Sequence, residues 1–144
     1  MKKRITIGRS DKVDLPDLGI ENTKAKVDTG AYTSSIHCKK ISVDEGVLSF
    51  YLRVELSGKS IARKFQTRDF FQKKIRSSNG ESQMRYVIKT HILLFGKSYL
   101  AEFSLSDRSR MKNPILIGRK LLKDKFLVDV SKKNLSFDLK NSQK

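Results

Sequence analysis

The distribution of hydrophobic and polar positions predicts a chain built mainly from β-strands. Five segments are rich in β-branched and aromatic residues, alternate in part between apolar and polar positions, and end at turn residues; they are 23–29, 47–56, 60–67, 84–95 and 98–106. Two short connections, Ser57-Gly58-Lys59 and Gly96-Lys97, predict hairpins, because glycine adopts the positive φ of a tight turn. The pattern therefore predicts an all-β fold in which neighbouring strands are antiparallel.

Three other segments complete this prediction. The turn signal Asn79-Gly80 stands in the polar stretch "SSNGES" and indicates a hairpin that projects from the body of the protein. The segment "GRKLLKDK" (118–125) is predicted to begin the one short helix, and residues 140–144 to form a frayed basic tail. Because 144 residues with 38% hydrophobic composition support one ordinary core, we expect a single domain over 1–144.

The charge balance adds a rival class of function. With 31 Lys and Arg against 15 Asp and Glu, the formal net charge is +16, which favours anionic partners. A non-catalytic basic module that binds nucleic acid or acidic proteins is therefore one hypothesis. The sequence lacks a recognition helix, a zinc finger and an aromatic platform for single strands, so only non-specific, salt-dependent binding of nucleic acid is expected.

Cysteine use and hydropathy predict where the protein works. Cys38 is the only cysteine, so no internal disulfide forms and a reducing compartment is the simpler interpretation. The basic start "MKKRITIGRS" is not followed by an apolar segment, and no apolar run is long enough to span a bilayer. We expect a soluble, cytoplasmic protein with no membrane partner.

Candidate chemistry appears in "AKVDTGAYTSSIHC" (25–38), where Asp28 follows a short β-forming run. In Asp-Thr-Gly the glycine lets the backbone turn tightly beneath the aspartate, and the Thr29 hydroxyl can brace the loop. Two such aspartates about 3 Å apart share one proton, because both cannot ionise, and this arrangement can activate water. Alone, however, Asp-Thr-Gly is more often an ordinary turn.

A second motif lies downstream in "PILIGRKLL" (114–122), where an apolar run precedes Gly118-Arg119. With Asp-Thr-Gly-Ala, it makes the chain resemble the retropepsin-like aspartic peptidases, in which the aspartate lies close to an apolar-apolar-Gly-Arg element. The resemblance extends to a bacterial branch labelled "ATP-dependent zinc protease". It is visible in "LPDLGIENTKAKVDTGAYTSSIHC" (15–38), "RYVIKT" (85–90), "EFSLSDRSRM" (102–111) and "LIGRKLLKDKFLVDVS" (116–131).

The resemblance implies an all-β closed barrel of the acid-protease type with one short helix, and an aspartic endopeptidase. Asp28, Thr29 and Gly30 would be catalytic, and His37, Ile117, Gly118 and Arg119 would support the site. Because the chain holds one Asp-Thr-Gly, an active enzyme would be a homodimer that contributes one aspartate from each subunit. The family also accompanies ATP-grasp ligases that add glutamate to proteins. Tyr32 stands where viral members carry an acidic residue, so Arg119 needs another partner.

The resemblance places a substrate-covering flap at about 66–88, with Asn79-Gly80 at its tip. Residues 58–91 contain nine Lys or Arg against Asp69 and Glu81, a local charge of +7 (9 − 2). We therefore predict a preference for acidic polypeptides, although a merely solvated basic face fits the same charges. The predicted substrate-binding residues are Ala31, Phe70, Phe71, Arg76, Asn79, Gly80 and Arg85.

Few residues of the sequence could bind the zinc of the family label. His37, Cys38 and His91 are the only histidines and cysteine, and adjacent residues of a strand over 34–41 would point to opposite faces. We therefore predict no metal and no cofactor. Cys38 is expected to be a small buried hydrophobe, and His37 to be packed or hydrogen-bonded near the Asp-Thr-Gly loop.

Overall fold

The computed structural model describes residues 3–76, 80–107 and 112–143. These residues form twelve strands, two α-helices and a 3₁₀ turn over Pro16–Leu18. The strands are β1 (Ile5–Ile7), β2 (Ser10–Leu15), β3 (Ile20–Val27), β4 (Ser34–His37), β5 (Lys39–Asp44), β6 (Val47–Leu56), β7 (Lys59–Thr67), β8 (Phe71–Arg76), β9 (Ser82–Leu94), β10 (Lys97–Ser106), β11 (Ile115–Ile117) and β12 (Phe126–Val128). The helices are α1 (Arg119–Leu122) and α2 (Leu135–Ser142).

Six strands close into a barrel. They pair in the order β10, β4, β11, β3, β2 and β9, and β9 pairs with β10 to complete the circuit. Long apolar side chains fill the interior, and Phe103, Ile115 and Ile117 are fully buried there. The predicted all-β closed barrel is therefore confirmed.

The short strand β11 brings the two sequence motifs together. It runs parallel to β3, with Ile117 opposite Val27, and antiparallel to β4, with Leu116 opposite Ser35. Because β3 and β11 point the same way, the residues that follow them emerge at the same end of the barrel. Asp28 and Gly118 are those residues.

A second sheet of three strands, β5, β6 and β7, packs beside the barrel through β6. Its hairpin loop Ser57-Gly58 has positive φ at both residues, 52° at Ser57 and 78° at Gly58. The loop Phe95-Gly96 between β9 and β10 is similar, with φ of 52° and 73°. These are the values that two-residue hairpins with the right-handed strand twist require. Both predicted hairpins are confirmed, and Glu45-Gly46 forms a third loop of this kind.

The C-terminal segment differs from its sequence prediction. Instead of a frayed tail from residue 140, helix α2 continues to Ser142, so the described residues contain two helices rather than one. Two backbone N–H groups of its first turn, those of Ser136 and Phe137, donate to the buried Asp11 carboxylate at 2.9 and 3.0 Å. Lys140 donates to Asp14 at 2.8 Å. A helix of eight residues is marginal alone, and these contacts with β2 stabilise it.

The predicted projecting hairpin consists of β8 and the first part of β9. Their pairing runs from Phe71 opposite Val87 to Arg76 opposite Ser82. The hairpin is therefore shorter than the predicted flap of 66–88, because residues 66–67 belong to β7. Asn79 of the predicted tip lies outside the described residues.

Helices α1 and α2 of the described chain are both too short and too polar to cross a membrane.

Candidate active site

Asp28 is the first residue after β3, and three of its own hydrogen bonds help to fix its loop. Its N–H donates to the Ile117 carbonyl at 2.9 Å, which joins the loop to the end of β11. Its Oδ1 accepts the Gly30 N–H at 3.0 Å, and its carbonyl accepts the Ala31 N–H at 3.2 Å. The loop therefore orients the half-buried carboxyl group at the end of the barrel.

Gly118 is the point of closest approach between this loop and the Gly-Arg element. A Cβ atom at this position would lie 2.6 Å from the Tyr32 carbonyl oxygen and 2.8 Å from the Thr33 carbonyl carbon. Its N–H donates to the Ser34 Oγ at 3.0 Å. The backbone φ of Gly118 is −94°, so it is the lack of a side chain, not a special conformation, that the position needs.

Arg119 binds the loop through main-chain groups. Its guanidinium Nη1 donates to the Thr29 carbonyl at 2.9 Å, and its own N–H donates to the Ala31 carbonyl at 2.8 Å. The next residue, Lys120, donates its N–H to the Tyr32 carbonyl at 2.9 Å. A carbonyl oxygen therefore takes the place of the carboxylate that Arg119 would meet in the viral pattern.

The Tyr32 ring connects the loop to the β8–β9 hairpin. The Lys73 ammonium lies 5.0 Å from the ring centroid and the Arg119 guanidinium 5.8 Å from it, distances at which cations and aromatic rings attract. Lys73 Nζ also donates to the Thr33 Oγ1 at 3.0 Å. The hairpin therefore packs against the Asp28 loop, as a flap would.

The structure brings some of the predicted substrate-binding residues to this place and keeps others away. Arg85 and Phe71 share the hairpin face of Lys73, whereas Arg76 lies on the opposite face because side chains alternate along a strand. Phe70 packs edge-on against Tyr86 at 5.8 Å between ring centroids and adjoins the core. Ala31 lies in the Asp28 loop and Gly80 is exposed, while Asn79 falls outside the described residues.

The prediction that His37 lies near the Asp-Thr-Gly loop is wrong. Ser34 at the start of β4 contacts Gly118, and three strand residues carry the chain about 10 Å away from there to His37. The His37 N–H donates to the Pro114 carbonyl at 2.7 Å, and its Nδ1 lies 3.7 Å from the Asp107 Oδ1. Cys38 interrupts the predicted strand 34–41, which divides into β4 and β5.

The potential zinc ligands do not form a suitable set. Burial of Cys38 raises the pKa of its thiol to about 12, which disfavours the thiolate that binds zinc. His91 Nδ1 lies 2.7 Å from the Asp17 Oδ2, and this hydrogen bond lowers the pKa of Asp17. Among the described residues, no three His, Cys, Asp or Glu side chains converge. The donors therefore do not fit the metal of the family label.

The residues that join the parts of the site were not predictable from the motifs. They are Ser34, which accepts the Gly118 N–H, and Thr33, which accepts from Lys73; in the sequence Lys73 is one basic residue among many. The departure at Tyr32 from the viral pattern was the one available signal. Because Arg119 lacks the acidic partner of the viral pattern, another group has to lie beside its guanidinium. The Tyr32 ring is such a group.

A closed barrel in which Asp-Thr-Gly lies beside an apolar-Gly-Arg element defines the retropepsin-like class. Over residues 6–137 the chain matches the RimB-like family, described as "Retropepsin-like aspartic endopeptidase RimB". The chain therefore belongs to the RimB-like family, which confirms the resemblance drawn from the motifs.

Two curated relatives share the sequence of most of this chain. A protein of Shewanella pealeana named "Probable alpha-L-glutamate ligase" is 36% identical over 132 residues, which are 89% of this chain and 29% of that protein. A protein of Parasynechococcus marenigrum with the same name is 31% identical over 147 residues, 99% of this chain and 32% of that protein. The chain thus spans about a third of the length of the relatives it matches.

The fold also resembles a solved crystal structure. A Legionella pneumophila protein of unknown function superposes with a TM-score of 0.69 over 93% of this chain and 99% of that one. Its sequence is 22% identical. At this identity the likeness concerns the fold.

Proposed function

We propose that the protein is an aspartic endopeptidase whose catalytic dyad is formed by Asp28 of two subunits. The observation that carries the proposal is the placement of the Asp28 carboxyl group in a turn fixed by Gly30 and by the end of β11. Membership of a family described as retropepsin-like aspartic endopeptidases supports the reaction type.

The dyad follows from the chemistry that one carboxyl group cannot perform alone. Two carboxyl groups about 3 Å apart hold one proton between them, so one is ionised and the other is protonated. The ionised Asp28 takes a proton from water, whose oxygen attacks the peptide carbonyl carbon, and the protonated Asp28 donates to the carbonyl oxygen. Collapse of the tetrahedral intermediate then breaks the C–N bond as a proton passes to the amine. We expect most activity at acidic to mildly acidic pH.

A homodimer supplies the second carboxyl group. Asp-Thr-Gly occurs once in this sequence, so the two aspartates of a dyad come from two copies of the chain related by a two-fold axis. A separated monomer would lack the shared proton and would be inactive.

Acidic polypeptides are the substrate class that the charge favours. The segment that contains the hairpin beside Asp28 carries a local charge of +7, which attracts carboxylates. The named activity of the relatives, glutamate ligation, adds carboxylates to its product. We therefore propose a functional link between this peptidase and an ATP-grasp ligase of that kind, in which the peptidase cleaves glutamate-rich chains.

The direct test combines the mass in solution with cleavage of a mixed peptide library, for wild type and for Asp28→Asn. Asparagine keeps an oxygen that can accept the Gly30 N–H, so the variant retains the loop while losing the ionisable group. We expect a dimer, cleavage by wild type with acidic peptides preferred, and no cleavage by the variant. A strict monomer that cleaves nothing across pH would contradict the proposal and would favour a basic binding module. Equal cleavage of acidic and basic peptides would remove the substrate preference alone.

A further inference from the structure

Two cations stand directly opposite each other on the hairpin beside the catalytic loop. Lys73 of β8 pairs with Arg85 of β9. Side chains at paired positions project from the same face with Cβ atoms about 5 Å apart, and like charges there repel. The face they share is the one turned toward the Asp28 loop, because Lys73 contacts Thr33 and Tyr32 of that loop.

Neither cation has an acidic partner in the described part of the chain. The ion pairs found among these residues do not include Lys73 or Arg85. Lys73 donates to a neutral hydroxyl, and Arg85 Nη2 donates to the neutral Gln83 Oε1 at 3.1 Å. Among the residues that the structure describes, none accepts from the buried Arg85 Nε. Because both cations donate only to neutral oxygens here, the pair has unused capacity for an anion.

We propose that Lys73 and Arg85 together bind a side-chain carboxylate of the peptide substrate and so select Glu or Asp beside the scissile bond. This inference rests on the proposed function, because it assigns residues to the substrate preference of the same site. A carboxylate between the two cations would relieve their repulsion and accept from the Lys73 ammonium and the Arg85 guanidinium. Gln83 holds the guanidinium in place, so little side-chain freedom is lost on binding.

The position of Lys73 links this carboxylate site to catalysis. Its ammonium lies against Tyr32 and Thr33, four and five residues after Asp28. A carboxylate bound there would place the substrate main chain between the hairpin and the Asp28 loop. The pair would therefore act on the residues next to the bond that is cut, whereas the rest of the basic surface would act only at long range.

The same strand offers a matched control. Lys74 pairs with the exposed Met84 on the opposite hairpin face, so it carries the same charge one residue away without facing the loop. Substitution of Lys74 changes the net charge as substitution of Lys73 does. A difference between the two variants therefore reports position and not overall charge.

Peptide binding in the Asp28→Asn background tests the inference without depending on cleavage. Two peptides blocked at both ends are compared, one with glutamates and one with every glutamate replaced by glutamine, so that only side-chain carboxylates differ. We expect Lys73→Gln and Arg85→Gln each to weaken binding of the Glu peptide by about tenfold and to leave the Gln peptide nearly unchanged. Arg85→Lys should retain part of the affinity, and Lys74→Gln all of it.

Three results would overturn the inference. They are the absence of any preference for the Glu peptide, an equal loss for both peptides, and an effect of Lys74→Gln as large as that of Lys73→Gln. Circular dichroism of each variant confirms that it folds. Cleavage by proteins with Asp28 intact, measured in parallel, tests the peptidase proposal itself. If Arg85→Gln still cleaves peptides and prefers the Glu peptide as wild type does, the inference is contradicted and the proposed function stays in place.

Discussion

At the scale of single residues, Gly118 is where the two halves of the candidate site touch. Its backbone passes so close to Tyr32 and Thr33 that a methyl group would overlap main-chain atoms, which cannot move aside as a flexible side chain would. Gly30 in the same site is different, because the nearest atom to a Cβ there is the Asp28 Oδ1 at 3.3 Å. Substitutions of the two glycines should therefore have different effects.

We expect Gly118→Ala to lower the free energy of unfolding by about 2 kcal/mol or more, since it forces β11 and the Asp28 loop apart. Gly30→Ala should cost less than about 1 kcal/mol and should instead shift the carboxylate and reduce peptide cleavage. Urea unfolding followed by circular dichroism measures both changes, because the chain has no tryptophan for fluorescence. Equal stability of Gly118→Ala and wild type would contradict the close packing described here.

Cys38 gives a chemical prediction. Because burial raises the pKa of its thiol to about 12, the thiolate is scarce and shielded in the folded protein. We expect a thiol reagent at about pH 8 to modify the folded protein very slowly and the urea-unfolded protein rapidly. If the reagent labelled the folded protein as fast as the unfolded protein, the thiol would be accessible and the prediction would be wrong.

Individual residues also show where the sequence was informative. Asp28, Gly118 and Arg119 could be placed together because two short motifs of a known family carry that geometry. The contact of Lys73 with Tyr32 could not be predicted, because it depends on the pairing register of β8 with β9 and on how their hairpin docks. His37 was misplaced because the direction of β4 away from the loop was unknown.

At the scale of elements, α2 depends on β2. The Asp11 carboxylate, 2% exposed, accepts the N–H groups of Lys12, Ser136 and Phe137 at 2.8 to 3.0 Å. It satisfies donors at the start of the helix that otherwise have no partner, and its negative charge suits the positive end of the helix dipole.

We therefore expect Asp11→Asn to lower the free energy of unfolding by about 2 kcal/mol, since an amide removes the charge and turns an N–H₂ toward N–H donors. Asp44→Asn, at an exposed carboxyl group of β5, is the control and should change stability by less than about 0.5 kcal/mol. Urea unfolding again provides the comparison. A cost for Asp11→Asn no greater than that of the control would show that the helix does not need this cap.

The contact between the 3₁₀ turn and β9 should depend on pH. The hydrogen bonds of the His91 ring and N–H lower the pKa of Asp17 below its usual 3.8. A lowered folded-state pKa stabilises the protein above about pH 4 and stops doing so as the pH falls through the folded value.

We expect wild type to be slightly more stable than Asp17→Asn at about pH 6, and this difference to vanish below about pH 3. The effect should be small because both side chains are about half exposed and water screens them. Thermal unfolding across this range measures it. A difference that grows toward low pH would have the wrong sign for this contact.

Several of the strands that the sequence predicted bury alternate side chains, although the predicted β7 is mostly exposed. In β6, for example, Leu48, Phe50, Leu52 and Val54 are buried and the residues between them are more exposed. Helix α2 was missed because its stability comes from Asp11 and Asp14, more than a hundred residues earlier, and not from its own sequence. Within the described residues, the short strands β1 and β12 pair only with each other, across a similar separation.

At the scale of the whole molecule, we expect activity to belong to a pair of chains. One barrel presents one Asp28. The net charge of +16 would attract glutamate-rich chains from solution, and added salt would weaken that attraction. Raising ionic strength should therefore slow cleavage of an acidic peptide more than cleavage of a neutral one. If salt slowed cleavage of both peptides equally, it would act on another step, for example on association of the subunits.

A dyad shared between two subunits is tested most directly by the cleavage rate of wild-type protein refolded together with increasing amounts of Asp28→Asn protein. If the dyad takes one Asp28 from each of two chains, mixed dimers hold a single ionisable aspartate and are inactive. We therefore expect the activity of a fixed amount of wild type to fall steadily as the variant is added. A rate that stays constant, or a variant that cleaves peptides by itself, would contradict a catalytic Asp28 shared between two subunits.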